Sequence, residues 1–154
     1  MLHYLYTYPE TIVDGDGIRF SIYLAGCRHH CRGCHNPESW NPAAGHPVTD
    51  EVVEQWISEI NRNPLLDGIT FSGGDPFYNP EEFLALIRKI SKATRQPVWC
   101  YTGYTYEELL ADPLRSPILI YIDVLVDGKF EQALYSPLLE FRGSSNQRIL
   151  HLKK

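Results

Sequence analysis

A chain of 154 residues that is 44% hydrophobic and 21% charged is long enough for one packed core and too short to divide, so a single domain over residues 1–154 is expected. Fourteen Lys and Arg against 19 Asp and Glu give a formal charge of −5, which leaves no basic excess to neutralise phosphates and argues against a nucleic-acid partner. The start MLHYLYTYPE lacks the regions of a signal peptide, and no apolar run approaches about 18 residues, so no membrane span is expected and the chain reads as cytoplasmic.

In chain order, residues 19–26, RFSIYLAG, predict a buried strand running straight into Cys27. Residues 49–62 place Val52, Val53, Trp56, Ile57 and Ile60 at helical spacing, with Asp50 and Glu51 where the helix dipole favours them. Residues 68–72, GITFS, predict a short strand that ends in the turn GGDP. Asn79 and Pro80 suit the N-cap and first position of a second helix with Phe83, Leu86, Ile87 and Ile90 on its apolar face. Residues 97–101 predict a strand, Thr105 and Glu108 a capping box, and residues 122–128 a last strand. Alternating strands and helices predict parallel pairing through right-handed crossovers. Chemistry in such folds gathers at the C-terminal strand ends. Cys27, GGDP, Thr102-Gly103 and Asp127-Gly128-Lys129 all fall at such ends, so one rim is expected to hold them.

Cys27, Cys31 and Cys34 lie in C-x3-C-x2-C spacing. A disulfide would leave one thiol over and suits a cytoplasmic chain badly. Zinc is one reading, with His29, His30 or His35 completing a Cys3His site, although structural zinc usually joins two separated ligand pairs. The other is a cubane iron–sulfur cluster, in which three thiolates leave one iron open for a substrate or cofactor. Both metal readings stay open on the residues alone. Cys100, in PVWCY, reads as a small core residue. Gly73 and Gly74 let backbone approach a ligand closely, yet GGDP by itself also reads as a tight turn. Asp127 and Lys129 form a D-x-K that equally suits a β-turn. The segment DGDG, 14–17, fails as a calcium loop because Arg19 and Ala25 stand where Gly and Glu are needed. No Ser-His-Asp or paired-carboxylate arrangement is evident.

VDGDGIRFSIYLAGCRHHCRGCHNPESW resembles the radical S-adenosylmethionine superfamily, and within it the leader of the glycyl-radical-enzyme activating proteins. FSGGDP, YTGY, VLVDGKF and FRGSSNQR are similar to the activators of anaerobic ribonucleoside-triphosphate reductases. The resemblance runs from about residue 8 to residue 149; Asp16 departs from it, standing where the family often has proline. It implies an α/β fold, an incomplete parallel (β/α) barrel, since the chain is too short for a closed eight-stranded barrel of about 250 residues. It implies a [4Fe–4S] cluster on Cys27, Cys31 and Cys34, whose free iron chelates the methionine part of S-adenosylmethionine. Reductive cleavage then yields a 5′-deoxyadenosyl radical, which takes a hydrogen atom from a glycine α-carbon of the large reductase subunit. A low-potential donor, such as a reduced flavodoxin, is implied too. The Gly73 and Gly74 carbonyls and Asp75 would meet the cofactor's ammonium group. Gly33, Cys34 and His35 would lie along its adenine, Thr102 and Gly103 nearer its ribose or methionine end, and Lys129 beside its carboxylate, with Asp127 in the same D-x-K. His29 and His30 are expected to shield the cluster or face the partner. The segment 142–148, RGSSNQR, suits cofactor, partner or a cap on the sheet equally.

Overall fold

The computed structural model describes residues 1–34 and 37–153. Its strands are β1 (His3–Thr11), β2 (Arg19–Leu24), β3 (His46–Pro47), β4 (Gly68–Gly73), β5 (Val98–Tyr101), β6 (Val124–Asp127) and β7 (Arg148–His151). Its helices are α1 (Asp50–Arg62), α2 (Pro80–Thr94) and α3 (Tyr106–Ala111), with short 3-10 turns between elements. Thr49 caps α1 by accepting from the Val52 N–H, and the capping box of Thr105 and Glu108 opens α3. Asn79 does stand at the N-cap of α2, but its side chain makes no capping bond. Pro80 has no N–H to satisfy there.

All seven strands join one sheet in the order β3-β1-β2-β4-β5-β6-β7. The expected parallel core is present as β2-β4-β5-β6. An all-parallel sheet is not: β1 pairs antiparallel with β2 and with β3, and β7 pairs antiparallel with β6. The β1–β2 connection is too short for the crossover that a parallel pair needs. β1 is absent from the predicted strands, because Pro9 breaks the alternation of Tyr4, Tyr6 and Tyr8 and falls in one of its two register irregularities.

The strand order rises steadily from β2 to β6, so right-handed crossovers put every helix on one face. That face holds the main core. Phe20, Ile22 and Leu24 of β2, with Ile69, Phe71, Cys100 and Leu125, meet Trp56 and Ile60 of α1 and Phe83, Ile87 and Ile90 of α2. The alternate residues point the other way and differ in character. Arg19 and Thr70 are buried there and bonded to each other, and Trp99, Val124 and Val126 pack with Tyr101, Phe141 and Ile149. The parallel register sets Leu24 beside Gly73, Phe71 beside Cys100 and Tyr101 beside Val126. The C-terminal ends of the four strands are therefore level.

Candidate functional site

The cysteine loop starts directly from β2. Its root is fixed by hydrogen bonds from Gly26 N–H to the Ser39 carbonyl (2.7 Å) and from Cys27 N–H to the Trp40 carbonyl (3.3 Å). The next strand end locks onto the same root, since Gly74 N–H donates to the Leu24 carbonyl (2.8 Å) and Asp75 N–H to the Gly26 carbonyl (2.7 Å). Glycine is needed at both turn positions. Gly73 has φ +106°, and a Cβ there would lie 2.3 Å from the Leu24 oxygen; at Gly74 it would lie 2.5 Å from the Gly26 oxygen. No side chain fits between these two backbones.

None of the four cysteines is joined in a disulfide. Burial pushes the Cys27 and Cys31 thiols above the usual thiol range, opposed by hydrogen bonding from the backbone of His29 at Cys27 and of Phe130 at Cys31. Cys100 lies wholly in the core, where burial raises its thiol far further.

Cys27, Cys31 and Cys34 line one cavity of about 250 Å3, together with Gly73, Gly74, Thr102, Gly103 and Gly128. The ends of β2, β4, β5 and β6 thus all contribute residues to this one cavity. Trp40, Tyr101, Phe130, Arg142, Gly143 and Gln147 also line it. The segment 142–148 stood out in sequence with cofactor, partner and sheet cap as equal readings. It is folded tightly against the end of β6: Gln147 Oε1 accepts from the Gly143 and Ser144 N–H groups (2.9 and 3.1 Å), and its Nε2 donates to the Gly128 carbonyl (3.0 Å).

Asp75 sits behind the cavity wall, only 1% exposed. Its carboxylate accepts from Thr102 Oγ1 (2.9 Å), the Gly103 N–H (2.9 Å) and the Phe77 N–H (3.0 Å), and lies 2.7 Å from His29 Nε2. His29 therefore turns inward, edge-on to Tyr104, while His30 stacks on Trp40 at 4.4 Å. Asp127 is buried as well, bonded to Arg148 Nε (3.0 Å) and the Tyr106 N–H (2.7 Å). Lys129 is exposed, and its carbonyl accepts from Asn146 Nδ2 (2.8 Å). Gly33, with φ +78°, lies against the Gln132 side chain. Asp75, Asp127, Lys129 and Gly33 do not line the cavity. His35 lies outside the described residues.

The donors and acceptors fit a thiolate-held group with a polar organic ligand beside it. Among the described residues, no three His, Cys, Asp or Glu side chains converge as ligands of a single ion. A cluster does not ask for that, because its thiolates bind separate irons. Two buried donors of cavity-lining residues, Trp40 Nε1 and Arg142 Nε, have no hydrogen-bond partner among the described residues, the mark of a site completed by something else. No helix among the described residues is long and apolar enough to cross a membrane.

Comparison with known proteins gives two findings. The family described as "4Fe-4S single cluster domain" matches residues 13–150. Proteins named anaerobic ribonucleoside-triphosphate reductase-activating protein align over nearly the whole chain. The one from Pasteurella multocida (strain Pm70) is 40% identical over 152 residues, 96% of each chain. That from Escherichia coli (strain K12) is 38% identical, covering 99% of this chain and 100% of its own. That from Enterobacteria phage T4 is 34% identical, covering 96% and 93%.

Proposed function

Because the chain belongs to the family of the anaerobic ribonucleoside-triphosphate reductase-activating proteins, and to that of the 4Fe-4S single cluster domains, we propose that it is a radical S-adenosylmethionine enzyme that activates such a reductase. The observation that carries this is the single cavity shared by three thiols and a side-chain-free glycine turn at level parallel strand ends. The sheet is read as an incomplete (β/α) barrel with antiparallel edges, forming one domain over residues 1–154, at work in the cytoplasm, where thiols stay reduced.

Cys27, Cys31 and Cys34 hold a [4Fe–4S] cluster in this reading. Bound with S-adenosylmethionine, that cluster supplies reductive cleavage to a 5′-deoxyadenosyl radical, the agent that removes a hydrogen atom from a glycine α-carbon of the large reductase subunit. The electron comes from a low-potential donor such as reduced flavodoxin. The rest is positioning. The Gly73 and Gly74 carbonyls accept from the cofactor's ammonium group. Gly33, Cys34 and His35 border the adenine. Thr102 and Gly103 carry the β5 wall, and Asp75 holds them against His29. Asp127 anchors the β6 end, while Lys129 stands at the open rim. Trp40 and Phe130 keep water from the cavity.

The helix-free face suits a protein substrate. A second cavity of about 510 Å3 opens there, beside the exposed Ile12, Val13 and Tyr135. Large exposed apolar groups gathered at one mouth mark a docking surface.

The test is low-temperature EPR on anaerobically purified, reduced protein, with and without S-adenosylmethionine. A [4Fe–4S]+ signal that changes shape on adding the cofactor is expected. Stoichiometric zinc and no cluster after reconstitution would replace this reading with that of a structural Cys3His module.

A further inference from the structure

Arg142 stands between the two cavities and lines both. One side of its guanidinium is spoken for: Nη1 donates to the Gln147 carbonyl at 2.6 Å and reaches the Ser145 carbonyl at 3.5 Å. These tethers fix the plane of the group. Nε is shut off from solvent and has no hydrogen-bond partner among the described residues. Among the described residues Nη2 bonds nothing either, and no carboxylate of the chain forms an ion pair with Arg142. The cost is considerable, because a buried donor on a charged group loses its water without replacement. A guanidinium is a fork of donors that suits a carboxylate, and here the arm left for a ligand is Nη2. Lys129, the other cation of this rim, is exposed and lines neither cavity.

We propose that Arg142 is the carboxylate-binding residue of this site, taking the carboxylate of a ligand on its unpaired Nη2 arm at the junction of the two cavities. This rests on the functional reading above. Two ligands bring that chemistry: the methionine carboxylate of the cofactor in the cysteine-lined cavity, and an acidic side chain of the partner's loop in the neighbouring groove.

The test measures Kd for S-adenosylmethionine and for its decarboxylated analogue on anaerobically reconstituted wild type, Arg142→Gln and Arg142→Lys, and Kd for the large reductase subunit. If the carboxylate is the cofactor's, Arg142→Gln weakens S-adenosylmethionine by roughly 10- to 100-fold and leaves the analogue unchanged. Arg142→Lys, which keeps the charge without the fork, falls between and carries the same comparison should the Gln variant not fold. If the carboxylate is the partner's, both small molecules bind as before while reductase affinity falls. That loss then disappears when the acidic residues flanking the target glycine are replaced by their amides. Equal losses for cofactor and analogue, or no loss in any arm, overturn the proposal while wild-type cofactor binding leaves the functional reading standing. A wild-type protein that binds no S-adenosylmethionine overturns both.

Discussion

At Asp75 one carboxylate gathers donors from the ends of three strands: His29 after β2, Phe77 just beyond β4, and Thr102 with Gly103 after β5. Removing it leaves several buried donors unpaired. Asp75→Ala is expected to cost about 3 kcal/mol in urea denaturation, and Asp75→Asn, which keeps the shape and one acceptor, clearly less. The sequence hinted at the aspartate but not at its role, since its partners His29 and Thr102 stand 46 and 27 residues away and no local pattern links them. The thiols and the glycines were legible, because their spacing carries their chemistry. A second residue-scale effect concerns Tyr23 and Tyr101. Burial, reinforced by Asp14, holds both phenols above the ordinary value of 10. The fold thus prefers the neutral phenol, so this contribution is intact below pH 10 and is lost as pH rises beyond it. Denaturant midpoints should fall above about pH 10, and less steeply in Tyr23→Phe, which cannot ionise there.

The turn after β4 shows how an element's backbone, and not its composition, sets tolerance. At Gly74 an added Cβ meets the Gly26 and Ser39 backbone oxygens at 2.5 and 2.7 Å. Neither can swing aside, so Gly74→Ala pushes the root of the cysteine loop away, costs about 1–3 kcal/mol and reduces iron bound per chain after reconstitution. At Gly128 the nearest atoms are 3.7 Å away. Gly128→Ala should therefore cost only the left-handed backbone term, about 1–2 kcal/mol by the same denaturation measurement, with iron content unchanged. Among elements, the strands β2, β4, β5 and β6 and the helices α1 and α2 were readable from apolar periodicity and caps. β1 and β7 were not. β1 hides behind half-exposed tyrosines, and β7 is four residues long beside a basic tail.

Across the whole molecule, one arginine ties the last strand to two other elements, beside its sheet pairing with β6. Arg148 of β7 bonds the buried Asp127 of β6 and the exposed Glu107 of α3. The Glu107 arm is fully exposed and carries little; the Asp127 arm matters, because a buried carboxylate would otherwise keep only the Tyr106 N–H. Arg148→Ala is expected to lower stability by about 2–3 kcal/mol, while Glu107→Gln leaves it unchanged, both by urea denaturation. The overall architecture was half legible: the central crossovers follow from alternating strands and helices, whereas antiparallel edges depend on connections whose lengths carry no apolar signal. The placing of the walls along the chain has a further consequence, in time. The thiols of Cys27 to Cys34 come early, while Arg142 and Gln147, which also line the cavity, come more than a hundred residues later. At about 5–20 residues per second of synthesis, the thiols leave the ribosome roughly 5–20 s before their shelter exists. Through that interval the nascent chain presents them to whatever oxidant, metal or delivery protein it meets first.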